Sequence, residues 1–575
     1  MRKRILLTTL LISVISLASC DLNNQLNVAT LEVIDNNNYY VGQSYAKYGN
    51  PTIELEEKGS NSTLDINDTN LSLSCIDPNG KSFDINSGFN IPGEYKITAK
   101  YSNKINTTYS VNVKEGAYVP DELTFVNKDI QTNYAPALGN QKMLVIPIAL
   151  KPGYAGSDSV STWTEAKLKD LESYYFGEST NTKVSLKDYY TTASFGNLNI
   201  DGMVSDVYEE TSSSLTVSSI SGDLSYQTLF KLIENAVEWV EDNHSEIDWK
   251  EYDTNEDGCI DSIHLITNYN ATDWNTPLWP HMYETGSIGT LDKPLANVYS
   301  ISAINHVSNA ITAIHEQGHI FGLQDYYDYS NNGTSIRDYV GGADMQSHNV
   351  FDWNSFSKLS TGWTKPIVID GNKNETIINL RPASSTGDCL IVPTGNWNGS
   401  AFDEYILIEL FTKVGNNVRD WSSWGNLARG GIRLYHVDAR IYGYDGELSS
   451  GNGGVVDNVK QSSYEHFEVG ANNSYDASAY ASGAVPGFEN FKLLTLIQEG
   501  GVDTFGSSSS YARHSLNQDD LFHTGDTFTF EAYKQFFLKN TKDVASTMDD
   551  GTIFPYTITF ENVSDIGATI KVVKN

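Results

Sequence analysis

The sequence predicts a multidomain chain in three parts: an N-terminal β-sandwich, a central α/β domain and a β-rich C-terminal region. Three observations carry this. The chain has 575 residues and is 39% hydrophobic, enough for several domains with their own cores. Up to about residue 115 apolar and polar residues alternate, the period of half-buried strands. Beyond it come an unbroken apolar run and helically spaced apolar residues. Past Trp363 these give way to short strand-like segments between Gly- and Asn-rich loops. The net charge of −34 argues against nucleic acid as a partner and suits solubility outside the cell.

The first residues read as a targeting segment. Arg2, Lys3 and Arg4 are a basic start, Ile5 to Leu17 an apolar stretch too short to span a membrane comfortably, and Leu17-Ala18-Ser19-Cys20 its close. That close resembles the lipobox of bacterial lipoproteins, which implies cleavage after residue 19 and a lipid on Cys20. A plain secretory signal with an incidental Cys is the other reading. Residues 20–30 are an Asn-rich tether. From 31 to 115 the pattern is strands and turns: Tyr95, Ile97, Ala99 and Tyr101 alternate, then Tyr109, Val111 and Val113, with Pro92-Gly93 before them. PGEYKITAKYSNKINTTYSVNV resembles bacterial Ig-like domains, so a β-sandwich spacer is expected. Cys75 sits on such a strand as a small core residue. With Cys259 and Cys389 it makes no disulfide framework.

The central domain is expected over 116–368. Met143 to Ile148 reads as a fully buried strand, with further strands at 198–206 and 262–267. Helices are expected at Trp163 to Tyr175 and between Ser225 and Asn243, where Leu229, Ile233, Ala236, Val237 and Val240 recur at helical spacing. The strand Asn297 to Ala303 is expected to line up an extended substrate beside the helix that follows. Residues 369–575 are the β-rich region, with strands near 376–380, 390–392, 405–410, 432–437, 493–497, 558–560 and 569–573.

That following helix carries His315-Glu316-Gln317-Gly318-His319-Ile320-Phe321-Gly322-Leu323-Gln324-Asp325, or HExxHxxGxxD. Four residues apart on a helix, His315 and His319 face the same way and can bind one metal ion. Glu316 is turned aside, where it reaches water at the metal's open position. Gly322 can turn the chain back, and Asp325 can return an oxygen as third ligand. Upstream, Asp253, Asn255, Asp257 and Asp261, with the Cys259 carbonyl, follow the spacing of a calcium loop, Gly258 making its sharp turn. Position twelve is His264 rather than Glu, so an Asx-rich turn is the competing reading. Met345 stands 26 residues past His319 and alone would be a core gap-filler. His281, in Trp279-Pro280-His281, favours a structural hydrogen bond over substrate contact. His348 suits the cleft or the surface equally.

Together these blocks resemble the immune-inhibitor-A family of secreted bacterial metallopeptidases. HEQGHIFGLQDYYD resembles its HExxHxxGLxDxYD signature. SLKDYYTTASFGNLNIDG (185–202) and YDTNEDGCIDSIHLI (252–266) resemble two further blocks, and WPH, ADMQSHN and GGIRLYHVD (430–438) fall in the same order. The resemblance covers roughly residues 120–530. It implies a zincin-like fold, zinc on His315, His319 and Asp325, Glu316 as catalytic base and Met345 beneath the ligands as a Met-turn residue. The Ig-like region stands where a propeptide is usual. The expected protein is a lipid-anchored zinc endopeptidase on the outer face of a bacterial membrane, or released from it. It would cleave proteins or peptides and carry structural calcium. Two other readings stay open: a surface adhesin with an inactive core, and a glycoprotein-specialised peptidase whose C-terminal region recognises sugar.

Overall fold

The computed structural model describes residues 30–575 apart from 35–37, 46–51, 58–59, 66–67, 103–104, 122, 124–134, 153, 155–158, 181–182, 212–222, 273–277, 308, 329–336, 425–426, 447–451, 457–463, 474–484, 489–490, 506–514 and 538–544. The expected signal segment and the lipid site at Cys20 lie outside the described residues. Strands outweigh helices, and the strands fall into several sheets. Among the described residues no helix is long and apolar enough to cross a membrane.

The chain forms two compact units. The first holds the N-terminal strands up to Asn112, except for 38–43 and 88–92, which belong to the second. In it, Thr30–Ile34, Thr52–Glu57 and Ser60–Leu64 form one antiparallel sheet, while Leu71–Ile76 pairs with Ser82–Phe83 and Gly93–Tyr101. Leu31, Ile53, Leu55 and Ala99 make its core. Tyr95, Ile97 and Ala99 point inward as the alternation requires, and Cys75 is buried beside them.

The second unit contains everything from Val113 onward, the residues on both sides of position 368 included. Its first sheet runs Leu198–Val204, Gly139–Ala149, Ile263–Thr267, Val298–Ala303, His281–Glu284, with Tyr208–Glu209 also beside Gly139–Ala149. All pairings are parallel except that of the last strand, which runs antiparallel. Met143 to Ile146 are buried because both faces of this strand are covered, which is why its sequence is unbrokenly apolar. One correction concerns the edge. Val298–Ala303 is an inner strand, paired on both sides, and the edge belongs to His281–Glu284.

A second sheet runs Leu494–Ile497, Gly431–Asp438, Glu404–Phe411, Leu390–Pro393, Ile367–Ile369 and on to the end of the strand Ile105–Tyr118. Every residue of Glu404–Phe411 and Gly431–Asp438 is buried. Tyr405, Leu407 and Phe411 face one core with Phe351, Phe356 and Leu359. Ile406, Ile408 and Leu410 face the other, with Phe528, Phe560 and Ile570 of the neighbouring sheet Glu375–Leu380, Gly567–Lys574, Tyr556–Ser564, Thr527–Thr529.

Candidate metal centre

The helix Ile311–Ile320 is buried on nearly every side, through Ala313, Ile314, His315, Glu316, Gln317, Gly318 and Ile320. Such a helix is a core element rather than a surface one. It ends in a Schellman motif. Gly322 takes φ +81°, its N–H reaches the His319 carbonyl, and the Leu323 N–H reaches that of Gly318. This turn aims the Leu323 carbonyl back at His319 and brings Asp325 over the helix face.

His315, His319 and Asp325 converge. The two Nε2 atoms are 3.1 Å apart, and Asp325 Oδ1 lies 3.1 Å from His315 Nε2 and 3.5 Å from His319 Nε2. The far nitrogens are both engaged by backbone carbonyls: His315 Nδ1 donates to Met345 at 2.8 Å and His319 Nδ1 to Leu323 at 2.7 Å. A carbonyl only accepts, so each Nδ1 carries a proton, and an imidazole that gives up the proton on Nε2 turns a lone pair inward. With those protons displaced, three acceptors face one another, a donor set suited to a cation. Tetrahedral zinc, with bonds of about 2.0–2.1 Å, sets its ligands about 3.3–3.4 Å apart, so the triangle fits it.

Electrostatics agree. Burial alone would lower the His319 imidazole, but the Asp325 charge and hydrogen bond hold it up at about 9. His315 is raised against burial by the same carboxylate. Burial would raise the Asp325 carboxyl, and the two imidazoles keep it well below the ordinary range. The cluster attracts positive charge. Tyr327 adds a hydrogen bond to Asp325.

The segment after Ala343 holds the imidazoles from behind. Met345 is fully buried, and its contribution to the site is its carbonyl, on His315. Gln346 sets its amide against Trp353 Nε1 through Oε1 at 3.1 Å, with Nε2 at 3.3 Å from His319 Nδ1. Gly318 makes room for it, since a Cβ there would lie 2.3 Å from Gln346 Oε1. Asp344 caps the turn, accepting from Gln346 N at 2.9 Å and from Asn354 N and Nδ2 at 2.8 Å. From the other side Tyr190 donates its hydroxyl to the Ile314 carbonyl and packs on Phe321 and Trp353.

The remaining expected residues fall elsewhere. In the loop 253–261, Asp253 accepts the N–H groups of Asp257 and Gly258, and Asp261 accepts Thr254 N and Oγ1. Asp257 accepts from Cys259 N and Asn255 Nδ2. Gly258 has φ +83°, the sharp turn expected of it. Burial pushes the Asp261 carboxyl up to about 6, and Asp253 and Asp257 add to this. Even so, these carboxylates do not bring three ligand atoms within 4.8 Å of one another. Among the described residues two groups of three possible ligands do: His315, His319, Asp325, and Glu404, His436, Asp549. His281 Nδ1 donates to the Trp279 carbonyl at 2.7 Å, the structural bond favoured from sequence. His348 Nε2 lies 3.5 Å from Asp338.

His264, twelfth in the calcium spacing, faces the core instead. Its Nδ1 is 3.0 Å from the Tyr175 hydroxyl and its Nε2 2.9 Å from Gln317 Oε1, while Gln317 Nε2 donates to Ser262 Oγ. The network ties the metal helix to the strand Ile263–Thr267. Burial pushes this imidazole down from 6.5 to about 4, against the Gln317 bond. In between, the unfolded chain takes a proton that the native imidazole refuses, so stability falls as pH drops from about 6.5 to 4, by about 3 kcal/mol. Denaturation midpoints across that range should slope less in His264→Gln, and an unchanged slope would assign the dependence to other groups. No protein-family model and no curated protein matches the chain.

Proposed function

We propose that this protein is a zinc-dependent endopeptidase. The observation that carries the reading is the inward triangle of His315 Nε2, His319 Nε2 and Asp325 Oδ1, with sides of 3.1, 3.1 and 3.5 Å. His315, His319 and Asp325 would hold the ion, leaving one tetrahedral position open. When bound, zinc supplies a Lewis acid that acidifies water and polarises a scissile carbonyl. Glu316 takes the proton of the attacking water on its carboxylate and passes it to the leaving amine. The edge strand His281–Glu284 lies against the metal helix, and its outer edge offers backbone groups to an extended peptide. The zincin-like core, the Ig-like character of the first unit and the immune-inhibitor-A relationship belong to this proposal. So do the lipid anchor at Cys20 and action outside the cell.

Calcium in the loop 253–261 is its accessory part, bracing the chain that leads into Ile263–Thr267. One experiment tests both ions on the full chain, with unfolded casein as substrate. A zinc-selective chelator should stop cleavage, and Asp325→Ala should lose one metal ion per chain together with activity. A calcium-selective chelator should lower the melting temperature and leave the zinc in place. Cleavage that survives zinc removal sinks the zinc-dependent reading; a melting temperature indifferent to calcium sinks the loop.

A further inference from the structure

The second convergent group lies on the opposite face of the β-rich sheet from the metal helix. Glu404 and His436 stand on the adjacent strands Glu404–Phe411 and Gly431–Asp438, both buried on the face that meets Phe537. Asp549 comes from a distant loop. That loop is drawn in by Glu404, which accepts Asp549 N at 2.7 Å and Asp550 N at 2.6 Å. Glu404 Oε1 is 2.8 Å from His436 Nε2, and one ligand atom from each of the three residues lies within 4.8 Å of the others.

Two independent features mark this as more than a hydrogen-bonded cluster. Asp549 is 9% exposed, and its Oδ1 is buried with no hydrogen-bond partner. The charges also fail to balance. Asp438, fully buried, is matched by Arg440 at 2.8 Å through both of its oxygens. Glu404 and Asp549 share His436 and the more distant Arg440 charge, so three buried carboxylates meet two cationic groups. Buried carboxylates left uncompensated cost several kcal/mol each. A divalent cation beside a neutral His436 balances Glu404 and Asp549 together.

We propose that Glu404, His436 and Asp549 form a second divalent-cation site that clips the loop around Asp549 to the sheet. One imidazole with two carboxylates suits a borderline first-row ion such as zinc, whereas calcium and magnesium prefer oxygen alone. Holding strand residues and a loop more than a hundred positions later in the chain, the ion stabilises the fold and takes no part in hydrolysis. The site stands whether or not the His315 centre is catalytic.

The test is zinc content per chain after loading the full protein with zinc alone and dialysing it. Wild type should hold two ions, and His319→Ala one. Adding Asp549→Asn to His319→Ala should remove the last, and Asp549→Asn alone should keep cleavage while losing part of the zinc-dependent rise in melting temperature. Asn keeps the backbone N–H that reaches Glu404, so folding should survive. Should that variant still fail to fold, the count in His319→Ala decides alone. The proposal is overturned if His319→Ala holds no zinc, or if Asp549→Asn removes none.

Discussion

Replacing Glu316 by Gln is expected to lower kcat/KM for peptide cleavage by about 10²–10⁴-fold, the usual contribution of a general base. Metal content and unfolding midpoint should stay at wild-type values. The separation follows from where the side chain sits. Glu316 shares the helix with both imidazoles and is 6% exposed, yet its carboxylate takes no hydrogen bond from another described residue. Its charge acts on His315, His319, His281 and Tyr327, so it lies near the ligand triangle without belonging to it. Gln keeps the volume and removes the proton acceptor. Asp325→Ala should do the reverse and lose the ion itself. If Glu316→Gln turned over casein at the wild-type rate, another group would be the base. If it lost zinc, Glu316 would belong to the ligand set.

The local part of this centre was legible because it is written in helical arithmetic. Two histidines at i and i+4, a glycine free to take positive φ three residues on and an acid three further describe one turn of helix and its cap. The Schellman motif at Gly322 delivers Asp325 where the spacing placed it. Met345 was also visible, but not its function, since backbone carbonyls leave no trace in sequence. The edge strand was misplaced for a related reason. His281–Glu284 is four residues long, too short to show a period, whereas Val298–Ala303 is longer, carries Val, Tyr and Ile, and reads as a strand. His264 was counted into the calcium spacing because it follows the loop, while in the fold its ring meets Tyr175 and Gln317, respectively 89 and 53 positions away. What could have flagged the rest is charge inside buried strands. Glu404, Glu409, Arg433, His436 and Asp438 all interrupt otherwise apolar runs, and every one of them is buried.

Of these, Glu409 and Arg433 yield the other large effect. They are direct cross-strand partners, joined through Arg433 Nε and Glu409 Oε1 at 2.6 Å, and fully covered. Arg433 Nη1 also donates to the Ala343 carbonyl at 2.8 Å, while Glu409 Oε2 accepts Ser355 N at 2.8 Å and Ser355 Oγ. The pair therefore grips both ends of the segment 343–355, whose first turn carries Met345 and Gln346. Asp344 lies in that grip: burial pushes its carboxyl up to about 7, and the Arg433 charge pulls it back. Arg433→Met should strand Glu409 as a buried, unmatched charge and destabilise the fold by about 3–5 kcal/mol. Zinc affinity should fall with it as the Met345 carbonyl loses its anchor. The double variant Arg433→Met, Glu409→Gln removes the stranded charge and should recover much of the stability, because replacing a buried ion pair outright is often close to neutral. It cannot restore the donor to Ala343, so zinc binding should remain weaker than in wild type. A double variant that regained stability and full zinc affinity together would show that the pair only supports the fold. Continued weak binding in a stable protein would show the β-rich region holding the metal centre in shape.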